Sequence, residues 1–406
     1  MANVSSSNGL EKRPRLAFRN TDGSHFPCWR QTSLGCIIEP YSEKVYGEHD
    51  YEVLTSSREG LQRQEDHFGS KQRHDTDGYN IIPFGYCTYR NRSDDGKFAF
   101  NINTISEKAI VSKFYPVFRF TNANSTFMAE FLNSSPRVKK KLSVLAVGTS
   151  QVVLSFEALK AAKFDLPCKD EQDKIAAFLE CLNTRIENQR TLVVALKKYK
   201  RGVVRTLLSP KHCKLKNVEW TTAKIGDIGT FIKGAPLSKA DISSDGTPFI
   251  LYGELYTTYN EVISKVVRKT QASVDKQYYS QIGDVIIPTS GETPEEISTA
   301  SCVMLPDIIL AGDLNIYRCT QVDGRIMSYI LNHVVNDRIA RVAQGKSIVH
   351  VQATEISKIE ITYPDLISQK KLIETFDAIT ARIDQSMREL ELLQVHRKAL
   401  LQQLFI

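Results

Sequence analysis

The sequence predicts a duplicated α+β protein built from two similar halves, each a mixed domain followed by a long helix. Three observations predict this fold class. The chain matches itself at an offset of 197 residues, so that Pro167 aligns with Pro364 and Gln172 with Gln369. Two stretches of about 35 residues carry apolar residues at spacings of three and four, which is typical of long helices. Short apolar runs bounded by Gly, Asn, Asp and Ser precede each helix and predict strands.

The composition is that of an ordinary globular protein with a moderate excess of positive charge. The 406 residues hold 53 Lys and Arg against 46 Asp and Glu, a net charge of +7. This excess permits binding to nucleic acid, but a basic protein without an anionic ligand explains it equally well. We expect no signal peptide and no membrane span, because no apolar run is long enough. The eight cysteines are scattered, which favours reduced thiols and a cytoplasmic location.

The repeat sets the predicted boundaries along the chain. A polar and basic flexible segment is expected at residues 1–25, and the first domain at 26–166. The first long helix is expected at 167–209, the second domain at 210–363 and the second long helix at 364–406.

The apolar positions of the two helices form a coiled-coil seam. These seam residues are Ile175, Leu179, Leu182, Ile186, Val193 and Leu196 in the first helix, and Leu372, Phe376, Ile379, Ile383, Leu390 and Leu393 in the second. Gln189 and Lys200 interrupt the first seam at the positions where Ser386 and Arg397 interrupt the second. The matching interruptions indicate that the helices pack on each other or on equivalent partners.

Motifs for catalysis are missing from the sequence. Gly345-Lys346-Ser347 resembles the end of a phosphate-binding P-loop, but Ala340 stands where that motif needs glycine. Methyltransferase, dinucleotide-binding and metal-binding motifs are absent, and Asp284 and Glu292 lack the following lysine of a nuclease site. We therefore predict no catalytic residue, no metal and no cofactor on this chain.

A small loop occurs in both copies, as Gly148-Thr149-Ser150 and as Gly345-Lys346-Ser347. The backbone N–H groups and the hydroxyls of this loop could donate hydrogen bonds to a DNA phosphate. A helix C-terminus capped by glycine explains the same residues structurally. The sequence leaves both interpretations open.

Basic residues interleaved with hydroxyls cluster in the predicted loops and are the candidate DNA contacts. Each of them taken alone is also explained as a solvated surface side chain. The candidates in the first domain are Ser56, Ser57, Arg58, Arg63, Lys71, Arg73, Arg90, Arg92, Ser93, Lys97, Thr149 and Ser150, and those in the second are Lys233, Lys239, Thr289, Ser290, Lys346 and Ser347.

These motifs together resemble the specificity (S) subunit of Type I restriction–modification enzymes. Leu166-Pro167, then Glu171-Gln172 and a helix running to Ser209, are similar to the central conserved region of that family. The stretches 53–61 and 111–118 are similar to one class of its target recognition domains. The distal copy departs from the pattern, with Ser368 where the family usually has Glu.

The resemblance implies two target recognition domains separated by two long antiparallel coiled-coil helices, with an internal pseudo-two-fold repeat. It implies a non-catalytic subunit that recognises a bipartite, asymmetric DNA target. Two copies of a modification subunit, which binds S-adenosylmethionine and methylates adenine, are implied as partners. A motor-nuclease restriction subunit joins them for cleavage, with ATP and Mg²⁺ expected on the partner subunits.

Two alternatives remain open at this point. One is a self-contained DNA-modifying enzyme, a nuclease or methyltransferase, with an unrecognised site. The other is a coiled-coil adaptor without a role on DNA.

Overall fold

The structure is a computed structural model that describes residues 14–69, 75–345 and 349–405. The chain divides into two compact units. The first comprises Met1–Gln189 together with Glu389–Ile406, and the second comprises Arg190–Arg388. Each unit therefore includes one part of each long helix.

The first unit is built on two four-stranded sheets and two strand pairs. Its strands are β1 Arg30–Ser33, β2 Ile38–Tyr41, β3 Glu52–Ser57, β4 Gly60–Arg63, β5 Asn80–Pro83, β6 Cys87–Tyr89, β7 Arg92–Ser93, β8 Phe100–Ile102, β9 Lys108–Val111, β10 Val117–Phe120, β11 Val152–Val153 and β12 Lys163–Leu166. The sheets have the orders β2-β10-β6-β8 and β4-β3-β9-β5, and the pairs are β1-β12 and β7-β11. All these pairings are antiparallel except β3 with β9.

Polar caps start the helices of this unit. The helices are α1 Gln64–Phe68, α2 Ser125–Ser134, α3 Pro136–Leu145, α4 Phe156–Ala161 and the long α5 Lys169–Leu207. Asn124 caps α2 by accepting from the N–H of Phe127, and Ser135 caps α3, which has proline at its first position.

The second unit again has two sheets and two strand pairs, but its sheets have five and three strands. Its strands are β13 Trp220–Lys224, β14 Gly229–Lys233, β15 Thr247–Leu251, β16 Val262–Ile263, β17 Arg268–Thr270, β18 Asp284–Pro288, β19 Ser290–Gly291, β20 Ser301–Val303, β21 Ile309–Ala311, β22 Leu314–Cys319, β23 Val349–His350 and β24 Glu360–Pro364. The sheets have the orders β14-β22-β18-β20-β16 and β17-β15-β21, and the pairs are β13-β24 and β19-β23. Its helices are α6 Ile225–Ile228, α7 Glu254–Thr257, α8 Pro294–Ile297, α9 Gly324–His333, α10 Asn336–Val342, α11 Ala353–Ser357 and the long α12 Leu366–Leu404.

The two units share one topology, so the predicted duplication and the α+β class are confirmed. The order β2-β10-β6-β8 in one unit corresponds to β14-β22-β18-β20 in the other, and β1-β12 corresponds to β13-β24. The loop after α3 closes with a bridge between Val147 and Val153, and the loop after α10 closes with one between Gln344 and His350. Both pairs of bridge residues lie 197 positions apart, the offset of the sequence repeat.

The seam residues are buried within their own units to different degrees. Ile175, Leu179, Ile186, Val193, Leu372, Phe376, Ile383 and Leu393 are buried, and Leu182, Leu196, Ile379 and Leu390 are half-buried. In the first unit, Ile175 and Leu179 pack into one core with Leu401, Leu404 and Phe405. In the second, Leu372 and Phe376 pack with Val204 and Leu208.

The two long helices run antiparallel where they meet in the first unit. Arg397 donates from Nε to the side-chain oxygen of Asn183 at 2.6 Å. Further along α5, Arg185 lies 3.8 Å from Glu389 and Gln189 donates to the same carboxylate at 3.4 Å. Because the partner number falls as the α5 number rises, the chain directions are opposed.

The residues that interrupt the seam have specific partners. Lys200 and Arg397 occupy matching positions and are each ion-paired with a carboxylate of their own unit, Glu261 and Glu130 respectively. Lys200 is buried, and its ammonium lies 2.8 Å from Glu261. Burial of a charge requires such pairing, which explains why a cation is found in an apolar seam.

The flexibility predicted for residues 1–25 stays a prediction, and the described part of this segment, from residue 14 onwards, contacts the rest of the first unit. The N–H of Leu16 donates to the carbonyl of Gln403 at 3.1 Å. Phe18 packs edge-on against Phe178 at 5.6 Å, and Lys174 donates to the carbonyl of Arg19 at 2.7 Å. Leu16 and Phe18 are partly buried and pack against the apolar core of the first unit.

Candidate nucleic-acid interface

Three loops that are distant in the sequence of the first unit meet at one small basic cavity. The β3–β4 hairpin, the segment from β6 past β7, and the approach to β8 line about 110 Å³ of space. The lining residues are Ser56, Ser57, Arg58, Arg90, Arg92, Ser93, Asp94, Lys97 and Ala99. We call this set the basic cavity; it brings together seven of the candidate DNA contacts.

Positive charge exceeds negative charge around the basic cavity. Asp95 binds Arg58 at 2.6 Å and Lys97 at 3.3 Å. Desolvation opposes ionisation of Asp95, but hydrogen bonds from Ser93 and Lys97 outweigh it and lower the pKa of its carboxyl below the ordinary value. Arg90 and Arg92 are exposed, and no ion pair joins either of them to a carboxylate within the described ranges. Two guanidinium groups therefore remain for an anionic ligand.

The Thr149–Ser150 loop lies beside the basic cavity. Strand β11, which follows this loop, pairs with β7, and Gln151 donates to Asp94 at 3.0 Å. Gly148 has φ +143°, and a Cβ there would lie 2.2 Å from the carbonyl oxygen of Gln151. The turn therefore requires glycine.

The helix-cap interpretation of this loop is wrong. Helix α3 ends at Leu145 and its C-cap is Ala146, in extended conformation, so Gly148 belongs to a hairpin turn beyond the helix. In the second copy, α10 ends at Val342 with Ala343 as its C-cap. Phosphate contact by the exposed Thr149 and Ser150 remains a prediction.

Three of the candidate hydroxyls are buried and already bonded. Ser56 accepts from the side-chain amide of Asn101 at 2.8 Å. Ser93 donates to Asp95 and Ser290 donates to Asp313, both at 3.0 Å. Ser93 and Ser290 lie 197 positions apart, in the corresponding short strands β7 and β19 of the two units. In this structure the three hydroxyls are buried and hold loops in place. Their role as DNA contacts stays a prediction.

The remaining candidates of the first unit lie elsewhere. Arg63 is bound to Glu52 at 2.8 Å, in a separate depression lined by residues of β3, β4 and α1. Arg63 is therefore not part of the basic cavity. Lys71 and Arg73 lie outside the described residues.

The candidates of the second unit are spread over more of its surface. Lys233 is exposed at the end of β14, and Thr289 is half-buried between β18 and β19. Lys239 lines a larger cavity of about 740 Å³ beside β15 and α7, which we call the second cavity. Lys346 and Ser347 lie outside the described residues.

Tyrosine and carboxylate side chains distinguish the second cavity from the basic cavity. Tyr252, Tyr256, Glu292 and Asp313 line it, together with the buried Glu254, which is ion-paired with Arg268 at 2.6 Å. Carboxylates accept hydrogen bonds from base amino groups, whereas arginine donates to guanine. The DNA contacts predicted from the sequence do not include these residues, because basic residues and hydroxyls were selected and Glu292 was weighed only as part of a nuclease site. The Tyr252-x-Glu254-x-Tyr256 alternation was the available signal.

The described residues contain neither a cluster of metal ligands nor a helix that could span a membrane. Within residues 14–69, 75–345 and 349–405, no group of three or more His, Cys, Asp and Glu is placed to hold a metal ion. The helices in that part of the chain also lack the combination of length and apolar composition that crossing a membrane requires.

A family model describes most of the chain. The model of the Type I restriction modification DNA specificity domain matches residues 39–196 and, a second time, residues 217–394. The two matches fall one in each half of the sequence repeat. Among curated protein sequences, no match is found.

Two solved structures are similar to this chain over nearly its full length. The S subunit of a Type I restriction-modification system from M. genitalium is 16% identical, with 97% of this chain and 99% of that chain covered and a TM-score of 0.56. A chain from a study of complex assembly and conformational transition of the type I R-M system is also 16% identical, with 92% and 96% covered and a TM-score of 0.57. At 16% sequence identity, these two comparisons show that the folds are similar and carry no argument about function.

Proposed function

Because this chain belongs to the family of Type I restriction modification DNA specificity domains, it is a DNA sequence-recognition subunit, and we propose that its two domains recognise the two halves of a bipartite, asymmetric target. The observation that carries this proposal is a shared topology with diverged cavities. The basic cavity presents Arg90 and Arg92, whereas the second cavity presents Tyr252, Tyr256 and carboxylates. Equal folds with unequal surfaces are expected to select different bases.

Arginine and carboxylate chemistry predicts what each half-site contains. Arg90 or Arg92 is suited to guanine O6 and N7 through two parallel hydrogen bonds. The carboxylates of Glu292 and Asp313 are suited to the amino group of cytosine. We therefore propose a guanine in the half recognised by the first domain and a cytosine in the other.

Selection from a pool of random duplexes tests this proposal. The full chain should enrich one sequence with two conserved halves and an unspecific spacer. Binding should weaken steeply between 50 mM and 200 mM salt, because phosphate contacts release counterions. Exchanging residues 1–166 for those of another family member should change one half only; a change in both halves would contradict independent recognition.

We further propose that the long helices bind the partner subunits, two copies of a modification subunit and a restriction subunit. Exposed apolar side chains on α5 and α12 support this: Leu192, Val194 and Tyr199 on the former, Leu392 and Val395 on the latter. Exposed apolar side chains mark a protein interface where they form a contiguous patch. S-adenosylmethionine, ATP and Mg²⁺ would then be bound by the partners.

Native mass spectrometry with a Type I modification subunit from the same organism tests the assembly. Two modification subunits should bind per chain, and Val194→Asp should weaken their binding, whereas Asn188→Asp on the same helix should not. Incubation with DNA and labelled S-adenosylmethionine addresses the alternative of a self-contained enzyme. Methyl transfer by the chain alone would refute a purely recognising role.

A further inference from the structure

A half-exposed phenylalanine stands between two cations at the edge of the basic cavity. Phe114 is 50% exposed in the turn between β9 and β10. The guanidinium carbon of Arg92 lies over its ring at 5.1 Å from the centroid, and the ammonium of Lys113 lies at 5.7 Å. Since Arg92 also lines the basic cavity, Phe114 is continuous with that surface.

The turn that carries Phe114 is held firmly by buried groups. The side-chain amide of Asn80, itself buried, donates to the carbonyl of Tyr115 at 2.9 Å. Thr88 donates to the carbonyl of Pro116 at 2.8 Å, and the N–H of Tyr115 donates to the carbonyl of Ser112 at 2.9 Å. A fixed backbone that projects an apolar ring outward reduces the entropy lost when the ring binds.

The corresponding turn of the second unit lacks this feature. Strands β21 and β22 are joined by Gly312 and Asp313 only, and Asp313 accepts from Ser290. An aromatic side chain carried by this turn is thus a feature of the first domain, whereas the two-residue turn of the second domain carries none. Such a difference between two domains of one topology is expected of a residue that determines which bases each domain accepts.

The chemistry around Phe114 suits one group of the DNA major groove. We propose that Phe114 packs against the 5-methyl group of a thymine in the half-site of the first domain, while Arg92 and Lys113 bind the adjacent phosphates. This inference rests on the proposed function. The thymine methyl is the apolar group among the base edges of the major groove, and phenylalanine is one of the side chains that contact it.

Contact through the ring edge fits better than insertion between bases. An intercalated ring exposes both faces to the neighbouring bases. Here the guanidinium of Arg92 already covers one face of Phe114 in a cation–π contact. The edge of the ring remains for a methyl group, and the two positive charges remain for the backbone.

Replacement of thymine by deoxyuridine tests the contact, because it removes the methyl group alone. The full chain is titrated with its selected duplex and with duplexes that carry deoxyuridine at one thymine at a time. One position should lower the affinity about fourfold, the ratio that burial of one methyl-sized group gives. Phe114→Ala should lower the affinity for the thymine duplex by a similar factor. The variant chain should bind the thymine duplex and the deoxyuridine duplex with equal affinity.

Two further variants separate packing from other effects. Phe114→Leu keeps an apolar side chain and should retain part of the discrimination between thymine and uracil. Phe84→Ala removes another exposed phenylalanine of the same unit, from the turn after β5, and should leave the discrimination unchanged. Thermal unfolding of each variant establishes that the fold is intact.

The outcomes distinguish this inference from the proposed function. Equal affinity of wild type for every deoxyuridine duplex overturns the thymine contact while leaving DNA recognition standing. Intercalation of the ring would raise the fluorescence of a 2-aminopurine placed in the half-site, and Phe114→Ala would abolish that rise. This result also overturns the thymine contact. A chain that selects no duplex at all overturns both.

Discussion

The side-chain oxygen of Gln369 accepts a hydrogen bond from the backbone N–H of Asp323 at 2.8 Å. Its amide nitrogen donates to the carbonyl of Pro364, also at 2.8 Å. Gln172, 197 positions earlier, makes the same two bonds with Asn124 and Pro167, at 2.9 Å and 3.0 Å. Both glutamines are buried, and each ties the start of a long helix to the N-cap residue of a shorter helix in its own unit. The repeated glutamine therefore has a structural role, and we call its two hydrogen bonds, made by Gln172 in one unit and by Gln369 in the other, the glutamine joint.

Loss of this joint should destabilise the unit that contains it. Gln369→Ala removes the side-chain partner of a half-buried N–H and of a buried carbonyl, which is expected to cost about 1–3 kcal/mol in free energy of unfolding. Urea unfolding measures this cost, and hydrogen exchange should show faster exchange at Asp323. Gln402→Ala, at an exposed position of α12, is the matched control and should change neither quantity. Equal behaviour of the two variants would contradict the assignment.

Arg90 is expected to contribute directly to DNA affinity. Arg90→Ala should weaken binding of the selected duplex, because an exposed guanidinium without a carboxylate partner in the described ranges is lost. If Arg90 contacts phosphate, the slope of log K against log salt should fall by about one; if it contacts guanine, the preference at one base should relax instead. Arg119→Ala removes a guanidinium already bound to Glu39 at 2.6 Å and serves as control. An Arg90→Ala chain with wild-type affinity and specificity would refute this role.

The buried part of the seam should carry most of its stabilising effect. Leu372 is 1% exposed, whereas Leu366 on the same helix is 59% exposed. Leu372→Ala is expected to cost about 2–5 kcal/mol, and Leu366→Ala about 0.5 kcal/mol or less. Chemical denaturation monitored by circular dichroism compares them. Similar costs would show that α12 does not pack as described.

Acid should destabilise the second unit through Glu261. Burial raises the pKa of this carboxyl, but the hydrogen bond from His333 and the charge of Lys200 outweigh burial and lower the pKa to about 2. A carboxyl with a depressed pKa stabilises the fold above its unfolded value, near 4.5, and this stabilisation is lost as the pH falls from there towards 2.

Glu261→Gln should therefore flatten the dependence of stability on pH between 4.5 and 2, while reducing stability at neutral pH because Lys200 loses its charged partner. Unfolding titrations at several pH values measure both effects. Glu355→Gln, at a partly exposed carboxylate paired with Lys358, is the control and should leave the slope unchanged. An unchanged slope in Glu261→Gln would exclude this carboxyl as the source of the acid sensitivity.

Local patterns in the sequence were sufficient for the long helices. The spacing of Leu179, Ile186, Leu372 and Ile383 repeats every turn or two, so periodicity alone placed α5 and α12. The duplication was visible for the same reason, since matching residues keep one offset. The meaning of the interruptions was not visible, because the partner of Lys200 is Glu261, 61 residues away.

The basic cavity lay beyond what one sequence conveys. Arg58 and Arg92 come together through the pairing of separate strands, and Ser93 becomes buried through its bond to Asp95. Composition marked all of these residues alike as candidate contacts. Exposed guanidinium groups can be distinguished from hydroxyls that already hold a loop only when the contacts between residues distant in the sequence are known.

The first unit is built from two separate segments of the chain, which affects the order in which the protein folds during synthesis. Phe405 packs edge-on against both Phe127 and Phe131, with ring centroids 5.8 Å and 5.6 Å away, so the core of that unit needs residues from both sides of Arg190–Arg388. A ribosome completes the uninterrupted second unit before it has made the segment that the first one requires. The half of the protein that is translated first is thus finished last, and until then its aromatic core is open to chaperones and to aggregation.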